Sequence, residues 1–242
     1  MLLKHLAIIM DGNRRWARAN HLATLRGHHQ GAETLKSVAR DAYEQGVEYL
    51  TCFAFSTENW KRPQPEVTGL ISLMQRFLMR DLLELTEENV QLKIIGDITV
   101  FSDDLQDLIR NAERSTRANN GLKLALAVNY GGLADIAQAA SQIDFSNCLS
   151  EQEKIAHLKS KLFTADMPNV DLLIRTGGEK RVSNFLMFDI AYAELYFTDT
   201  LWPDFSKADL LDALEDYKRR DRRFGANSAD VVELSDTART LK

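Results

Sequence analysis

Polar side chains of the types that bind phosphate and metal ions follow four apolar segments of this sequence. Arginine forms bidentate, charge-assisted hydrogen bonds with phosphate oxygens, and a glycine lets backbone N–H groups approach those oxygens closely. The four groups are Asp11-Gly12-Asn13-Arg14-Arg15-Trp16, Ser56-Thr57-Glu58-Asn59-Trp60-Lys61-Arg62, Asn129-Tyr130-Gly131-Gly132 and Arg175-Thr176-Gly177-Gly178-Glu179. Together they predict a binding site for a small phosphorylated ligand.

A second arginine cluster is predicted at the last of these groups. Arg175 and Arg181 flank the segment TGGEK, and Ser183 follows shortly after. Two arginines and a hydroxyl suit a second phosphate group, so the sequence predicts two anion pockets. In the alternative interpretation, these arginines form an ion-pair network with Glu179 or Asp189.

Asp11 is a carboxylate within a basic segment, since residues 11–40 contain six Lys or Arg and two acids. A divalent cation explains a carboxylate beside an anion site, because magnesium prefers one or two carboxylates together with phosphate oxygens. Asp11 and Glu194 are therefore a candidate magnesium pair. The alternative for Asp11 is capping of the helix that follows it.

Residues 103–107 (DDLQD) match the DDxxD pattern with which all-helical isoprenoid synthases hold magnesium diphosphate. Those enzymes use two copies, and only one is present here. Ser102 precedes the acids as a helix N-cap would, and apolar residues then recur at helical spacing. Acids in a first turn favour the helix dipole without any ligand. We interpret this segment as the start of an amphipathic helix.

Short apolar segments alternate with longer helical segments along the chain, and four of them end in the polar groups above. The apolar segments are residues 5–10, 47–55, 90–96, 122–130 and 170–176. Strands spaced in this way predict βαβ units and a mainly parallel sheet covered on both faces, and ligands bind at the carboxyl ends of such strands. We predict an α/β fold with one domain over residues 1–225 and a polar tail over residues 226–242.

The composition of the 242-residue chain, with 45% apolar and 27% charged residues, is typical of a soluble globular protein. The net charge of −5 opposes nonspecific nucleic-acid binding, which requires a positive excess. No apolar stretch reaches the roughly 18 residues of a membrane span and no signal peptide is found, so we expect a cytoplasmic protein. Cys52 and Cys148 lack the spacing of a disulfide framework or a zinc site.

Four motifs together resemble the cis-prenyltransferase family, and the resemblance extends over residues 5–225. They are HLAIIMDGNRRWA, FAFSTENWKRP, NYGG and RTGGEKRVSNFLMFDIAYAELYFTDTLWPDF. The resemblance implies a homodimer in which a six-stranded parallel sheet is flanked by helices around a hydrophobic tunnel. It also implies a Mg²⁺-dependent reaction. An allylic diphosphate, usually farnesyl diphosphate, is elongated by successive isopentenyl diphosphate units with Z double bonds, and pyrophosphate leaves each time.

The implied product is a long-chain Z-polyprenyl (undecaprenyl) diphosphate, a carrier lipid for cell-wall synthesis, whose release involves transient membrane contact. Synthesis of a short- or medium-chain product is the alternative. Two further functions compete with chain elongation. A phosphohydrolase would use Asp11 as nucleophile, although such enzymes have a second aspartate where Asn13 stands. A catalytically silent accessory subunit would lack parts of the motifs, which are present here.

Matching the motifs residue by residue assigns roles to the polar groups. The resemblance makes Asp11 the catalytic acid and a magnesium ligand, Asn59 the proton acceptor, and Glu194 the second magnesium ligand. The residues implied to surround the allylic diphosphate are Gly12, Asn13, Arg14, Arg15, Trp16, Thr24 and His28. The other implied substrate contacts are Ser56, Thr57, Glu58, Trp60 and Arg62, together with Arg175, Arg181, Val182 and Ser183 at the isopentenyl diphosphate.

Two positions depart from the family pattern. Arg14 stands where bacterial members commonly have a second glycine, and Thr24 stands where the family often has an arginine, with Arg26 two residues later. Residues 219–225 (RRDRRFG) resemble a C-terminal arginine segment that reaches the active site of the second subunit, or else form a solvated charge run. Residues 67–85 carry more apolar side chains than one core-facing stripe requires, which predicts that they also line a tunnel or a dimer interface.

Overall fold

The computed structural model describes residues 3–80, 82–147 and 150–220. Its strands are β1 (His5–Ile9), β2 (Tyr49–Ser56), β3 (Gln91–Ile95), β4 (Lys123–Tyr130), β5 (Leu172–Arg175) and β6 (Glu194–Phe197). Its helices are α1 (Asn13–Ala19), α2 (Thr24–Glu44), α3 (Gln64–Arg80), α4 (Leu82–Glu87), α5 (Asp103–Thr116), α6 (Gly132–Ser141), α7 (Glu151–Lys159) and α8 (Lys207–Arg219). A 3₁₀ turn, Thr57–Lys61, follows β2. The predicted α/β fold is confirmed.

The strands of the described residues form one parallel sheet in the order β3-β4-β2-β1-β5-β6. Consequently β4, β2, β1 and β5, the four strands after which the polar groups occur, are consecutive neighbours. Their carboxyl ends meet at one edge of the sheet, where loops lead into helices. This arrangement confirms that the four groups share a single edge.

Alternate side chains of the central strands are buried on opposite faces of the sheet, because successive residues of a strand point to opposite faces. Leu6 and Ile8 of β1 belong to a large core with residues of α2, α3, α5 and α8. Ala7 and Ile9 face a smaller core that includes Phe185 and Leu186. Burial on both faces explains why these strands read as continuous apolar runs.

The apolar segment predicted over residues 67–85 forms parts of two helices, α3 and α4. Val67, Phe77 and Leu78 are buried in the large core, and Leu70, Ile71 and Met74 pack against it while also lining a cavity described below. Met79 is 70% exposed. The wide apolar arc therefore serves both the core and a cavity within this chain.

The aspartate-rich segment begins α5, as predicted. Ser102 occupies the N-cap position, but its side chain makes no capping hydrogen bond; its carbonyl oxygen instead accepts from the N–H groups of Leu105 and Gln106, both at 3.0 Å. Asp103 and Asp104 are exposed in the first turn, and Asp107 pairs with Arg110 at 3.0 Å. These contacts explain the acids without a metal ion.

None of the helices in the described part of the chain is long and apolar enough to span a bilayer. Cys52 is a buried free thiol in β2, and burial raises its pKa well above the usual value, which makes it unreactive. Cys148, the predicted tail over 226–242 and all but the first two residues of the arginine segment 219–225 lie outside the described residues.

Candidate active site

Asp11 lies just beyond the carboxyl end of β1, fixed through its backbone. Its N–H donates to the hydroxyl of Thr176 at 2.9 Å, and that hydroxyl donates to the Asp11 carbonyl at 2.7 Å. Its carbonyl also accepts from the N–H of Trp202 at 2.9 Å. The N-cap of α1 is Gly12, with φ of 114°, so Asp11 does not cap this helix. The Asp11 carboxylate is therefore not engaged in capping α1.

Arg175 is the buried cation of the site, with 4% of its surface exposed. Its guanidinium donates to a carboxylate oxygen of Asp11 at 3.0 Å, to the hydroxyl of Ser183 at 2.8 Å and to the carbonyl oxygen of Arg181 at 2.5 Å. Its buried Nε has no hydrogen-bond partner among the residues that the structure describes. Arg175 therefore joins the loop after β1 to the loop after β5.

Arg15 forms a second connection between the same loops. One of its guanidinium nitrogens donates to the carbonyl oxygen of Gly177 at 2.6 Å, and the other lies 3.3 Å from the Asp11 carboxylate. Gly177 has φ of 81°, and a Cβ at this position would lie 2.5 Å from the Arg15 guanidinium. The left-handed backbone conformation at this position favours glycine.

The predicted ion-pair alternative is correct for one arginine only. Arg181, whose side chain is 60% exposed, pairs with Glu179 at 2.5 Å. Arg175 pairs with Asp11, and Asp189 instead contacts Lys159 and the hydroxyl of Thr164. Because the Arg181–Glu179 pair is exposed, it is weak and can open to admit an anion.

Two polar cavities lie on either side of Asp11. The first has a volume of about 600 Å³ and contains five arginines and two carboxylates in its lining: Arg14, Arg15, Arg18, Arg62, Arg181, Asp11 and Glu179. The second has a volume of about 570 Å³ and is lined in part by Ser56, Glu58, Asn59, Arg62, Arg175, Arg181, Ser183 and Asn184. The two cavities share Met10, Asp11, Arg62 and Arg181. The structure thus supports the prediction of two adjoining anion pockets.

An apolar cavity of about 110 Å³ adjoins the first polar cavity. Asn13 and His28 line both of them. The rest of its lining comes mainly from α2, α3, β2 and β4, including Leu35, Leu70, Ile71, Leu73, Met74, Phe77, Leu126 and Val128. This cavity corresponds to the tunnel that the family resemblance implies.

Glu66 is a residue of the site that the sequence did not reveal. It lies in the first turn of α3, is 8% exposed, and contacts Arg62 at 3.1 Å, His28 at 3.4 Å and Arg14 at 3.6 Å. Its three partners all line the first polar cavity. Glu66 therefore holds these groups in place around the cavity. The only signal in the sequence was its spacing of four residues from Arg62.

His28 is uncharged at neutral pH. Burial, together with the positive charge of Arg62, lowers the pKa of His28 below its usual value, and the nearby Glu66 only partly opposes this. A neutral imidazole adds a hydrogen-bonding group to the first cavity without adding charge. The cationic character of the cavity comes from its arginines.

The loop after β2 lines the second cavity with Glu58 and Asn59. The Asn59 side-chain oxygen accepts from the N–H of Ser56 at 3.2 Å. Desolvation would raise the pKa of Glu58, but hydrogen bonds from its own backbone N–H and from the Asn184 amide outweigh it and lower this pKa. Glu58 is therefore ionised at neutral pH.

Four of the predicted contact residues lie outside the cavity linings given above. The indole N–H of Trp16 donates to Asp204 at 2.6 Å, and that of Trp60 donates to the side-chain oxygen of Asn129 at 2.8 Å. Val182 packs against the smaller core. Thr57 is likewise absent from both polar linings. These residues shape the loops rather than face the cavities in this conformation.

The structure shows which residues stand near Thr24, the position where the family often has an arginine. Thr24 begins α2 and lines the first cavity, as predicted, whereas Arg26 is absent from that lining. Arg18 of α1 lines the cavity instead. Arg18, not Arg26, therefore supplies a cation on this side.

Asp11 and Glu194, the magnesium ligands predicted from the sequence, do not lie together within this chain. Glu194 begins β6 and pairs with Leu172 at the start of β5, whereas Asp11 follows the end of β1. Because the strands are parallel, Glu194 lies at their amino ends and Asp11 at their carboxyl ends. Glu194 instead forms an ion pair with Arg220 at 2.8 Å.

Asp11 alone nevertheless suits magnesium when phosphate is present. Among the described residues, no group of three or more His, Cys, Asp or Glu side chains could hold a metal ion. Magnesium commonly binds through one or two carboxylates plus substrate phosphates and water. The Asp11 side chain is 31% exposed and borders both polar cavities, which fits this mode of binding.

Comparison with known proteins decides the family. A family model described as "Putative undecaprenyl diphosphate synthase" matches residues 9–225. The chain belongs to the undecaprenyl diphosphate synthase family. This confirms the resemblance to cis-prenyltransferases found in the four sequence motifs, and the matched range agrees with the extent of that resemblance.

Relatives of this undecaprenyl diphosphate synthase family member include proteins named for a specific substrate. A Haemophilus influenzae protein named ditrans,polycis-undecaprenyl-diphosphate synthase ((2E,6E)-farnesyl-diphosphate specific) is 46% identical over 92% of this chain and 95% of its own length. A Pseudomonas aeruginosa protein of the same name is 45% identical over 94% of this chain and 92% of its own length. The crystal structure of lavandulyl diphosphate synthase from Lavandula x intermedia, solved in complex with dimethylallyl diphosphate, matches with a TM-score of 0.86 and 38% identity. The match covers 92% of this chain and 98% of that one.

Proposed function

We propose that this cis-prenyltransferase condenses isopentenyl diphosphate units onto farnesyl diphosphate to give a long-chain Z-polyprenyl (undecaprenyl) diphosphate. One observation carries the proposal: two cationic cavities meet at Asp11, and one of them opens towards an apolar cavity. A condensation of two diphosphates requires two anion sites side by side. Elongation also requires an apolar space for the growing chain.

The first cavity suits the allylic diphosphate. Its five arginines provide charge-assisted hydrogen bonds for the diphosphate oxygens, and the adjoining apolar cavity accepts the hydrocarbon tail. Glu66 maintains the positions of Arg14, Arg62 and His28. The allylic substrate would thus be held with its first carbon at the boundary between the polar and the apolar cavity.

The second cavity suits isopentenyl diphosphate. Arg175, Arg181 and Ser183 lie near the strand β5 end of this cavity and would bind its diphosphate. Asn59 borders the same cavity, and we assign it the role of accepting the proton that leaves the new unit. Among the described residues, its side-chain oxygen accepts one hydrogen bond, from the N–H of Ser56. Glu58, an ionised carboxylate, borders the same cavity and accepts a hydrogen bond from the Asn184 amide at 3.3 Å.

Magnesium would be held by Asp11 together with diphosphate oxygens and water. When bound, it would neutralise the charge that develops on the departing pyrophosphate. Arg15 and Arg175 orient the Asp11 carboxylate from two sides. A Glu194 from the same chain takes no part in this site.

The apolar cavity must widen as the product grows. Its volume of about 110 Å³ is smaller than the ~150 Å³ engineered cavity that binds one benzene molecule. Binding of an isoprenoid chain therefore requires a wider cavity than this conformation provides. We further propose that the enzyme is a cytoplasmic homodimer that contacts the membrane transiently when it releases this carrier lipid for cell-wall synthesis.

Product analysis tests the proposed function. The purified protein is incubated with farnesyl diphosphate, isopentenyl diphosphate and Mg²⁺, and the products are identified by mass spectrometry, with Asp11→Asn as the control. We expect a series of products that increases by one isoprene unit at a time and ends at a long chain. A short final product would replace the long-chain assignment. Phosphate release from simple phosphomonoesters without elongation would support a phosphohydrolase instead.

A further inference from the structure

Met10 is the one residue, among those that the structure describes, that lines all three cavities of the site. It follows the last residue of β1 and precedes Asp11. Its side chain is half-buried and packs against the large core, and its carbonyl oxygen accepts from the Asn13 amide at 3.2 Å. Met10 therefore occupies a fixed position at the junction of two polar cavities and one apolar cavity.

This junction is the place where the proposed reaction must occur. The first carbon of the allylic substrate connects a diphosphate in the first cavity to a tail in the apolar cavity, and the attacking double bond enters from the second. The C–O bond breaks, and its electron pair leaves with the diphosphate. The π electrons of isopentenyl diphosphate form the new C–C bond, and a proton then leaves the second carbon of that unit.

We propose that Met10 is a catalytic residue that packs against the reacting allylic carbon and excludes water from it. This inference rests on the proposed function. Arginines surround the junction on the polar side, so water has access to both polar cavities. Water attacking the same carbon would release diphosphate and, after losing a proton, give a prenyl alcohol. A flexible thioether side chain fills such an irregular space and has no N–H or O–H group that could position a water molecule.

Side-chain volume at the junction is the property to test. Met10→Ala opens the junction, whereas Met10→Leu retains a similar apolar volume. Met79, which is 70% exposed on α3 and absent from the cavity linings given above, provides the matched control Met79→Ala. Radiolabelled farnesyl diphosphate, isopentenyl diphosphate and Mg²⁺ are supplied, and the ratio of farnesol to elongated product is measured.

We expect Met10→Ala to raise the ratio of alcohol to elongated product about tenfold or more and to lower kcat for condensation, because small displacements of reacting groups cost up to about 10²-fold. Met10→Leu should raise this ratio less than Met10→Ala does, because it keeps most of the apolar volume. In Met79→Ala the ratio should remain within about twofold of the wild-type value. If Met10→Ala does not fold, Met10→Val is used, and it should raise the ratio in the same direction.

The inference is overturned if the ratio is unchanged in the folded Met10→Ala or Met10→Val protein. It is also overturned if Met10→Leu raises the ratio as much as the smaller side chains do, since volume would then not be the cause. A wild-type enzyme that makes no elongated product would contradict the proposed function itself. These outcomes keep the two failures distinct.

Discussion

Asp11 contributes at the scale of the single residue in two ways: it pairs with Arg15 and Arg175, and it offers a carboxylate to magnesium. We expect Asp11→Asn to lower kcat about 10²- to 10³-fold, because losing one electrostatic contact to the transition state costs about 3–4 kcal/mol. Turnover is measured at saturating substrate, and urea unfolding shows whether the variant is folded. A folded variant with near-normal kcat would remove Asp11 from the chemistry.

Glu66 is expected to stabilise the site through its three basic partners. Glu66→Gln should lower the free energy of unfolding by about 1–3 kcal/mol, because hydrogen bonds to a largely buried charged group are lost. The matched control is Glu33→Gln, whose 65% exposed carboxylate pairs with Lys36 and should contribute at most about 1 kcal/mol. Urea denaturation measures both. Equal losses for the two variants would contradict the structural role of Glu66.

Residue types alone predicted the polar groups, because arginines, glycines and carboxylates after strands suit phosphate chemistry. They did not predict Glu66 or Met10. The contacts of Glu66 with Arg14 and His28 depend on how α3 packs against the first two helices, which is tertiary information. Met10 resembles any apolar residue at a strand end, and only the cavities around it distinguish it.

At the scale of elements, the apolar runs located β1 to β5 within a few residues, because these strands are buried. β6 was implied only by the family resemblance. It is an edge strand whose residues are half-buried or exposed, so it lacks a continuous apolar run. The distance between Asp11 and Glu194 within the chain could not be predicted for the same reason, since the parallel register of β6 cannot be read from its residues.

Helix α5 allows a direct test of the aspartate-rich pattern. We expect Asp103→Ala combined with Asp107→Ala to leave kcat and the magnesium requirement within about twofold of the wild type, while stability falls by ~1 kcal/mol as the helix dipole loses its acidic partners. Activity is measured across a magnesium titration. A large increase in the magnesium concentration needed for half-maximal activity would show that these acids bind the metal.

β1 and β2 are joined by a buried histidine that makes stability depend on pH. His5 Nδ1 donates to the carbonyl oxygen of Pro168 at 2.8 Å, so Nε2 accepts from the Thr51 hydroxyl at 2.7 Å. Burial lowers the pKa of His5 below its usual 6.5, although the hydrogen bond to Pro168 opposes this. The unfolded chain therefore binds more protons below pH 6.5. The free energy of unfolding should fall there by up to about 1.4 kcal/mol per pH unit.

Urea unfolding between about pH 7.5 and 5.5 measures this dependence. His5→Gln should be less stable at neutral pH but should lose less stability as the pH falls, because the proton uptake is absent. His21→Gln, which changes an exposed histidine, is the control and should retain the wild-type slope. An unchanged slope in His5→Gln would assign the pH dependence to other groups.

At the scale of the whole molecule, the strand order brings distant motifs together at the carboxyl ends of the strands. Two polar cavities form there, and each is lined by its own set of arginines, some of them shared. The sequence assigned Arg181 to one pocket, but the structure places it on the border of both. The substitution Arg181→Ala should therefore raise KM for both farnesyl diphosphate and isopentenyl diphosphate. Residues that line one cavity only, such as Arg14 and Ser183, distinguish the two pockets better.

The most direct measurement is the pair of KM values, for farnesyl diphosphate and for isopentenyl diphosphate, in Arg14→Ala and in Ser183→Ala. Each loses a hydrogen bond to a charged phosphate, which contributes about 1.5–3 kcal/mol, or about tenfold or more in KM. We expect Arg14→Ala to raise KM for farnesyl diphosphate and Ser183→Ala to raise KM for isopentenyl diphosphate, with the other constant within about threefold of the wild type. Equal increases of both constants in each variant would contradict the two-pocket assignment.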